Sequence, residues 1–127
     1  MPQYRMGEVA ELLGVSVDTV RRWADVGRFP TSRATEGGPR LVEGEDLARF
    51  VLEGAHHEAS TASARNRFPG IVTRVEVDGV IAKVEVQAGP HRVVSLLTSE
   101  AVDDLGLRPG VRATAIVKST DVIVEVR

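Results

Sequence analysis

The chain has 127 residues, 43% of them hydrophobic, with a formal charge of -2 and no cysteine. That content suffices for one ordinary domain or two very small ones, each marginal alone, so self-association is expected. The absent thiols exclude disulfides and thiolate chemistry, and no run approaches a membrane span or an export signal, so a soluble, cytoplasmic protein with no membrane partner is expected. The net charge does not favour nucleic acid, which leaves any DNA contact to a local basic surface.

Two hydrophobic periods divide the chain. Residues 7–13 and 17–26 place Val9, Leu12 and Leu13, then Val20, Trp23 and Ala24, at three- and four-residue spacings, which predicts two helices burying one face each. Between them Gly14-Val15-Ser16 supplies a terminator, an apolar contact and an N-cap. A third helix, 45–53, offers Leu47, Phe50 and Val51 to the same core. Residues 54–61 are small and polar without a period and are expected to form a linker. Within it, His56 and His57 are adjacent imidazoles without carboxylate geometry and are read as linker residues, not a metal site.

Past the linker the period becomes two. Ile71, Thr73, Val75 and Val77 share one predicted face, as do Val80, Ala82, Val84 and Val86, and Asp78-Gly79 between them signals a hairpin with two positive-φ positions. His91 to Leu97 forms a third strand, Thr98 or Ser99 caps a short helix ending near Gly106, and 111–118 and 122–126 form strands four and five. Five short strands and one helix suit a small closed barrel, which hides the edges that a flat sheet exposes. The expected class is α+β, a small helix-turn-helix domain at 1–53 followed by a five-stranded barrel at 62–127.

Helix, three-residue turn, helix is a DNA-reading arrangement. The second helix begins at Ser16 and carries Thr19, Arg21 and Arg22 outside the core, suiting it to a major groove with its capped end near phosphates. Arg28, Arg33 and Arg40 follow, the last inside EGGPRLV, where glycines and proline shape a tight wing. Trp23 follows Val20 by three positions and is read as core. The segment from Tyr4 to Val51 resembles the winged DNA-binding head of MerR-type and excisionase-like proteins. The resemblance implies that Ser16 to Trp23 is the recognition helix and that Gly37 to Arg40 is a wing touching minor groove or backbone. The chain departs from full-length MerR activators in lacking their long dimerising helix and effector cysteines. The DNA-binding candidates are Ser16, Thr19, Arg21, Arg22, Arg33 and Arg40, and the partner is double-stranded DNA.

The second half resembles the molybdate-binding Mop, or molbindin, module of the TOBE group: SARNRFPGIVTRV matches its opening, LLTSEAVDDLGLRPG its helix region and AIVKSTDVIV its ending. This implies an oligonucleotide-binding-type barrel that holds molybdate or tungstate between copies of the chain. The implied ligand residues are Ser63, Ala64, Arg65, Lys118 and Ser119, Ala64 through main chain only. It also implies a homo-oligomer, a dimer or a trimer of dimers. The chemistry agrees, because a tetrahedral dianion leaving water needs convergent donors and positive charge, and Ser63, Ser119, Arg65 and Lys118 supply both. Asn66 is expected to tie the first strand, and Thr98 and Ser99 to cap the helix.

No catalytic residue is assigned. Glu76, Asp78, Glu85, Asp103 and Asp104 provide carboxylates, but no histidine is coupled to a nucleophile, and His91 is read as an exposed or turn residue. Single-stranded nucleic acid is disfavoured because this half offers only Phe68 for stacking. The expected protein is a DNA-binding transcriptional regulator responsive to molybdate or tungstate and not an enzyme. The alternatives are an oxyanion storage or buffering protein and a DNA-binding protein whose barrel serves only for oligomerisation.

Overall fold

The computed structural model describes residues 2–54 and 63–127. The chain divides into two compact units, Met1–Glu58 and Ala59–Arg127. Most of the expected linker, with His56 and His57, lies outside the described residues.

The first unit runs β1 (Gln3–Arg5), α1 (Met6–Leu13), α2 (Val17–Asp25), β2 (Ser32–Arg33), β3 (Arg40–Glu43) and α3 (Gly44–Gly54). Helix α1 stops because Gly14 takes a left-handed φ of 68°, a conformation that costs a side chain its Cβ clearance, and α2 starts because the Ser16 hydroxyl accepts the Thr19 amide at 3.1 Å. Val15 packs between them against the core. That core is Met6, Val9, Ala10, Val20, Ala24, Phe29, Val42 and Leu47, with Leu13, Trp23 and Phe50 partly buried around it. Two expected core residues lie outside it: Leu12 and Val51 are 60% and 44% exposed. The added strand β1, paired antiparallel to β3, brings Met6 into the core, and Ala10 takes the inward position instead of Leu12. Phe50 meets both Trp23 and Phe29, at ring-centroid distances of 5.2 and 5.1 Å.

The second unit is an antiparallel sheet in the order β6–β5–β4–β7, with β4 Asn66–Asp78, β5 Ile81–Ala88, β6 His91–Thr98 and β7 Arg112–Val117. Helix α4 (Ser99–Leu105) is capped by Thr98, whose hydroxyl accepts the Ala101 amide, and ends at left-handed Gly106. The Ser99 hydroxyl donates to the Gly79 carbonyl at 2.6 Å, pinning the helix to the β4–β5 turn. Val102 then closes the core over Val72, Ala82, Val84 and Val86.

Three expectations change here. The face predicted as Ile71, Thr73, Val75 and Val77 is interrupted by an irregularity in register between Val72 and Arg74, so Val72 is 1% exposed and Ile71 faces out at 44%. A bulge inserts one residue and so reverses the alternation on its far side. The hairpin loop is Gly79-Val80 rather than Asp78-Gly79: Asp78 pairs with Ile81, and positive φ occurs at Gly79 alone of the loop, which leaves Val80 in the turn and 78% exposed.

The third change concerns strand five. A 3-10 turn at Ser119–Asp121 carries the chain off β7, and residues 122–127 pair with no strand among the described residues. Ile123, Val124 and Val126 are 93%, 83% and 95% exposed. The fold class stands, with four strands in place of five, and β6 and β7 remain as edges.

Gly70 sits where β4 crosses close to the end of β5. A Cβ there would lie 2.2 Å from the Gln87 carbonyl oxygen and 3.0 Å from Ala88 Cα, both backbone atoms that cannot swing aside. Gly70→Ala should therefore destabilise the sheet by about 3 kcal/mol, the upper end of over-packing. Urea denaturation followed by far-ultraviolet circular dichroism, at fixed protein concentration, measures it; an unchanged midpoint contradicts the close approach.

Candidate oxyanion and DNA-binding sites

In the second unit β4 pairs with β7 from Asn66↔Val117 to Ile71↔Arg112. The Asn66↔Val117 pair at one end of that ladder sets the position of both sequence motifs. Ser63-Ala64-Arg65 runs directly into Asn66, and Lys118-Ser119 runs directly out of Val117, so segments more than fifty residues apart share one end of two neighbouring strands. The Asn66 carboxamide donates to the Val117 carbonyl at 3.1 Å and locks the junction. Ala64 is 7% exposed, whereas Ser63, Arg65, Lys118 and Ser119 are exposed. Lys118 opens the 3-10 turn, its carbonyl accepting the Asp121 amide at 2.9 Å. Two cationic side chains and two hydroxyls at one strand end form a donor set suited to a tetrahedral dianion. Thr98 and Ser99 are engaged in the α4 cap and the hairpin pin.

Two carboxylates of this unit, Glu85 and Glu76, are engaged in ion pairs. Glu85 points to the outer face of β5 yet is 7% exposed, covered by Arg92, which donates to it from β6, with Lys83 Nζ at 3.7 Å. Sequence alternation places Glu85 outside; its burial comes from cross-strand partners that sequence spacing does not reveal. Glu76 is paired with Arg74 at 2.7 Å. Among the described residues no three metal-ligating side chains gather.

In the first unit the exposed face of α2 carries Arg21 and Arg22, with Arg21 3.8 Å from Asp18. Ser16 and Thr19 hydroxyls lie 2.8 Å apart and bond to each other at the cap. The wing is β2, a turn through Gly37 (φ 74°), and β3, in which Arg33 and Arg40 sit directly opposite one another. Arg33 donates to the Gly38 carbonyl at 2.5 Å, and Arg40 donates to Asp25 at 2.6 Å and to Thr31 at 3.3 Å. Arg28, grouped by sequence with the basic set, lies over Trp23 and Phe50 at 5.6 and 5.2 Å and braces α2 against α3. Sequence reasoning missed Asp25, whose bond to Arg40 spans fifteen residues, and Arg5, which lines a cleft with Arg21, Arg33 and Arg40.

The geometry fits what the chain is similar to. A family model described as TOBE domain matches residues 62–124, and one described as MerR family regulatory protein matches residues 5–42. Molybdenum-pterin-binding protein 3 of Clostridium pasteurianum is 40% identical over 63 residues, 49% of this chain and 93% of that protein. Molybdenum transport protein ModE of Herbaspirillum seropedicae is 37% identical over 62 residues, 48% of this chain and 23% of that protein. A solved structure of a molybdate binding protein from Sporomusa ovata is 32% identical with a TM-score of 0.50, covering 52% of this chain and 98% of that one.

The Arg92 hydrogen bond holds the Glu85 carboxyl below its ordinary value of 4.5, against the opposing effect of desolvation and with added attraction from Lys83 and Arg74. A depressed native pKa gives stability that is full above the unfolded value and is lost as pH falls through the native one. Wild type should therefore melt above Glu85→Gln at neutral pH, and the gap should close as pH drops below 4.5. Melting temperature against pH for both proteins tests this; a gap that persists into strong acid contradicts it.

Proposed function

Since this chain belongs to the TOBE domain family and carries a MerR-family regulatory region ahead of that domain, we propose that it is a DNA-binding transcriptional regulator whose C-terminal unit binds molybdate or tungstate. The observation that carries this reading is the Asn66↔Val117 pairing, which supports one donor cluster built from Ser63, the Ala64 main chain, Arg65, Lys118 and Ser119. Charge from Arg65 and Lys118 attracts every dianion alike. Discrimination then falls to the spacing of hydroxyl and amide donors, which suits molybdate and tungstate together and leaves sulfate, with its shorter bonds, poorly held. The relatives that bind molybdenum compounds support this class of ligand.

The oligomer follows from the same unit. An apolar, β-branched segment at Val122–Val126 without a partner strand among the described residues, beside a sheet with two open edges, supports pairing with a second copy. Such pairing adds the missing strand and places the Lys118-Ser119 end near another protomer. Oxyanion and DNA affinities are then linked, because a ligand bound at a junction between copies favours the assembly that presents two heads to two half-sites. The linkage needs differential affinity: shifting an equilibrium from mostly one state to mostly the other takes roughly a 10⁴-fold preference. The carboxylates engaged in ion pairs support a binding role rather than an enzymatic one.

Calorimetric titration at fixed ionic strength should give molybdate and tungstate similar affinities and sulfate a weaker one, and Lys118→Ala with Ser119→Ala should lower molybdate affinity without unfolding. Sedimentation should give a dimer or larger at micromolar concentration. Sulfate binding as tight as molybdate, or a monomer with and without oxyanion, contradicts the reading. In the head, Arg21→Ala with Arg22→Ala should abolish sequence-specific duplex binding, since α2 then loses a base contact worth about 1–3 kcal/mol together with a backbone contact that orients the helix. Gel shifts on duplexes selected by the wild type decide this; retained specificity contradicts the assigned helix face. Stoichiometric oxyanion uptake without duplex binding would instead identify a storage protein.

A further inference from the structure

The cleft in the head is lined by Arg5 at the entrance to α1, Arg21 on α2, and Arg33 and Arg40 on the two wing strands, with Asp25 the one carboxylate on it among the described residues. Its volume is about 440 Å³ and it opens to solvent. Four arginines line this one cleft in a chain whose net charge is -2, so the concentration is local. Arg33 and Arg40 stand directly opposite across the β2–β3 pair, an arrangement of like charges that costs stability unless an anion offsets it. Asp25 offsets only part of it, through Arg40 Nη1 at 2.6 Å, while Thr31 and the Gly38 carbonyl fix the guanidinium stems of Arg40 and Arg33. Each guanidinium carries five N–H donors, so these bonds orient Arg33 and Arg40 and leave further donors on each.

We propose that this cleft seats a phosphate oxyanion, supplied by the backbone of duplex DNA at the junction of recognition helix and wing, and that Arg5 is one of its ligands. The inference rests on the DNA-binding reading and deepens it. Base-reading groups on the outer face of α2 fix sequence, whereas a seat shared by α1, α2 and wing fixes the register of the head on the duplex. Arg5 serves this role because it ends β1 beside the wing strand β3, paired with Leu41, and leads directly into the first turn of α1. Asp25 is a positioning residue that holds Arg40 at the cleft rim.

The test measures binding of the full chain to a short random-sequence duplex across a series of salt concentrations. Arg5→Ala should weaken binding on the order of tenfold and reduce the slope of log affinity against log salt by about one unit, the loss of one phosphate contact. Arg5→Lys should keep the slope. Arg49→Ala serves as the charge-matched control, since Arg49 is on α3, paired with Asp46 at 3.1 Å and off the cleft. If Arg5→Ala behaves as Arg49→Ala, the proposal is overturned. A wild type that binds no duplex overturns the DNA reading itself and removes DNA as the source. Titration with inorganic phosphate then decides the seat, by nuclear magnetic resonance of arginine Nε groups. Shifts at Arg5, Arg21, Arg33 and Arg40 but not Arg49 uphold an oxyanion site for free phosphate, and their absence overturns it.

Discussion

Strand β4 is thirteen residues long and hydrogen-bonds in two directions, to β7 from Asn66 to Ile71 and to β5 from Ile71 to Asp78. The handover is possible because Gly70 lets the backbone pass beside Gln87 and because the irregularity after Val72 turns the strand. At that turn Val72 serves two neighbours, its amide bonding to the Val111 carbonyl and its carbonyl to the Gly110 amide. The position of β7 in the sheet follows from this bent strand, and with it the meeting of the opening and closing motifs at Asn66 and Val117. Strand β5 is eight residues long and reaches only Ile71–Asp78, so the first half of β4 is held in the sheet by β7, and that pairing makes the two motifs neighbours.

The geometry explains which parts of the fold were legible in the sequence. Gly14-Val15-Ser16 encodes a helix stop, a core contact and a helix start in three consecutive residues, and Thr98 and Gly106 bracket α4 in the same local way. Local hydrogen bonds of this kind are set by residue type, so spacing alone finds them. The bulge after Val72 is different: nothing in IVTRVEV distinguishes an inserted residue from plain alternation, and the register is decided by β5 and by the loop before β7. The final segment has a strand composition, since VIVEV is almost wholly β-branched. Pairing, however, requires a neighbour, and the 3-10 turn at Ser119–Asp121 directs this segment away from its own sheet.

The two candidate sites differ in the same respect. The motif residues Ser63, Arg65, Lys118 and Ser119 were found by resemblance, and strand pairing brings their segments to one end of the sheet. In the head, Arg21 and Arg22 follow from helical periodicity, but Arg5, Asp25 and the opposed pair Arg33 and Arg40 acquire meaning only once the wing folds back. Both sites gather cationic residues within a chain that is acidic overall. On the proposed reading, each attracts an oxyanion: a small dianion in the C-terminal unit and a duplex backbone in the head.

The central claim is that the strand end formed by Asn66 and Val117 is an oxyanion seat. Crystals of the full chain grown with molybdate, measured at the molybdenum absorption edge, test it most directly through the anomalous signal. The account predicts a peak within hydrogen-bonding distance of Ser63 or Arg65 and of Lys118 or Ser119, these two sets coming from one protomer or from neighbouring copies. A peak confined to other parts of the chain, or none at saturating molybdate, would contradict it.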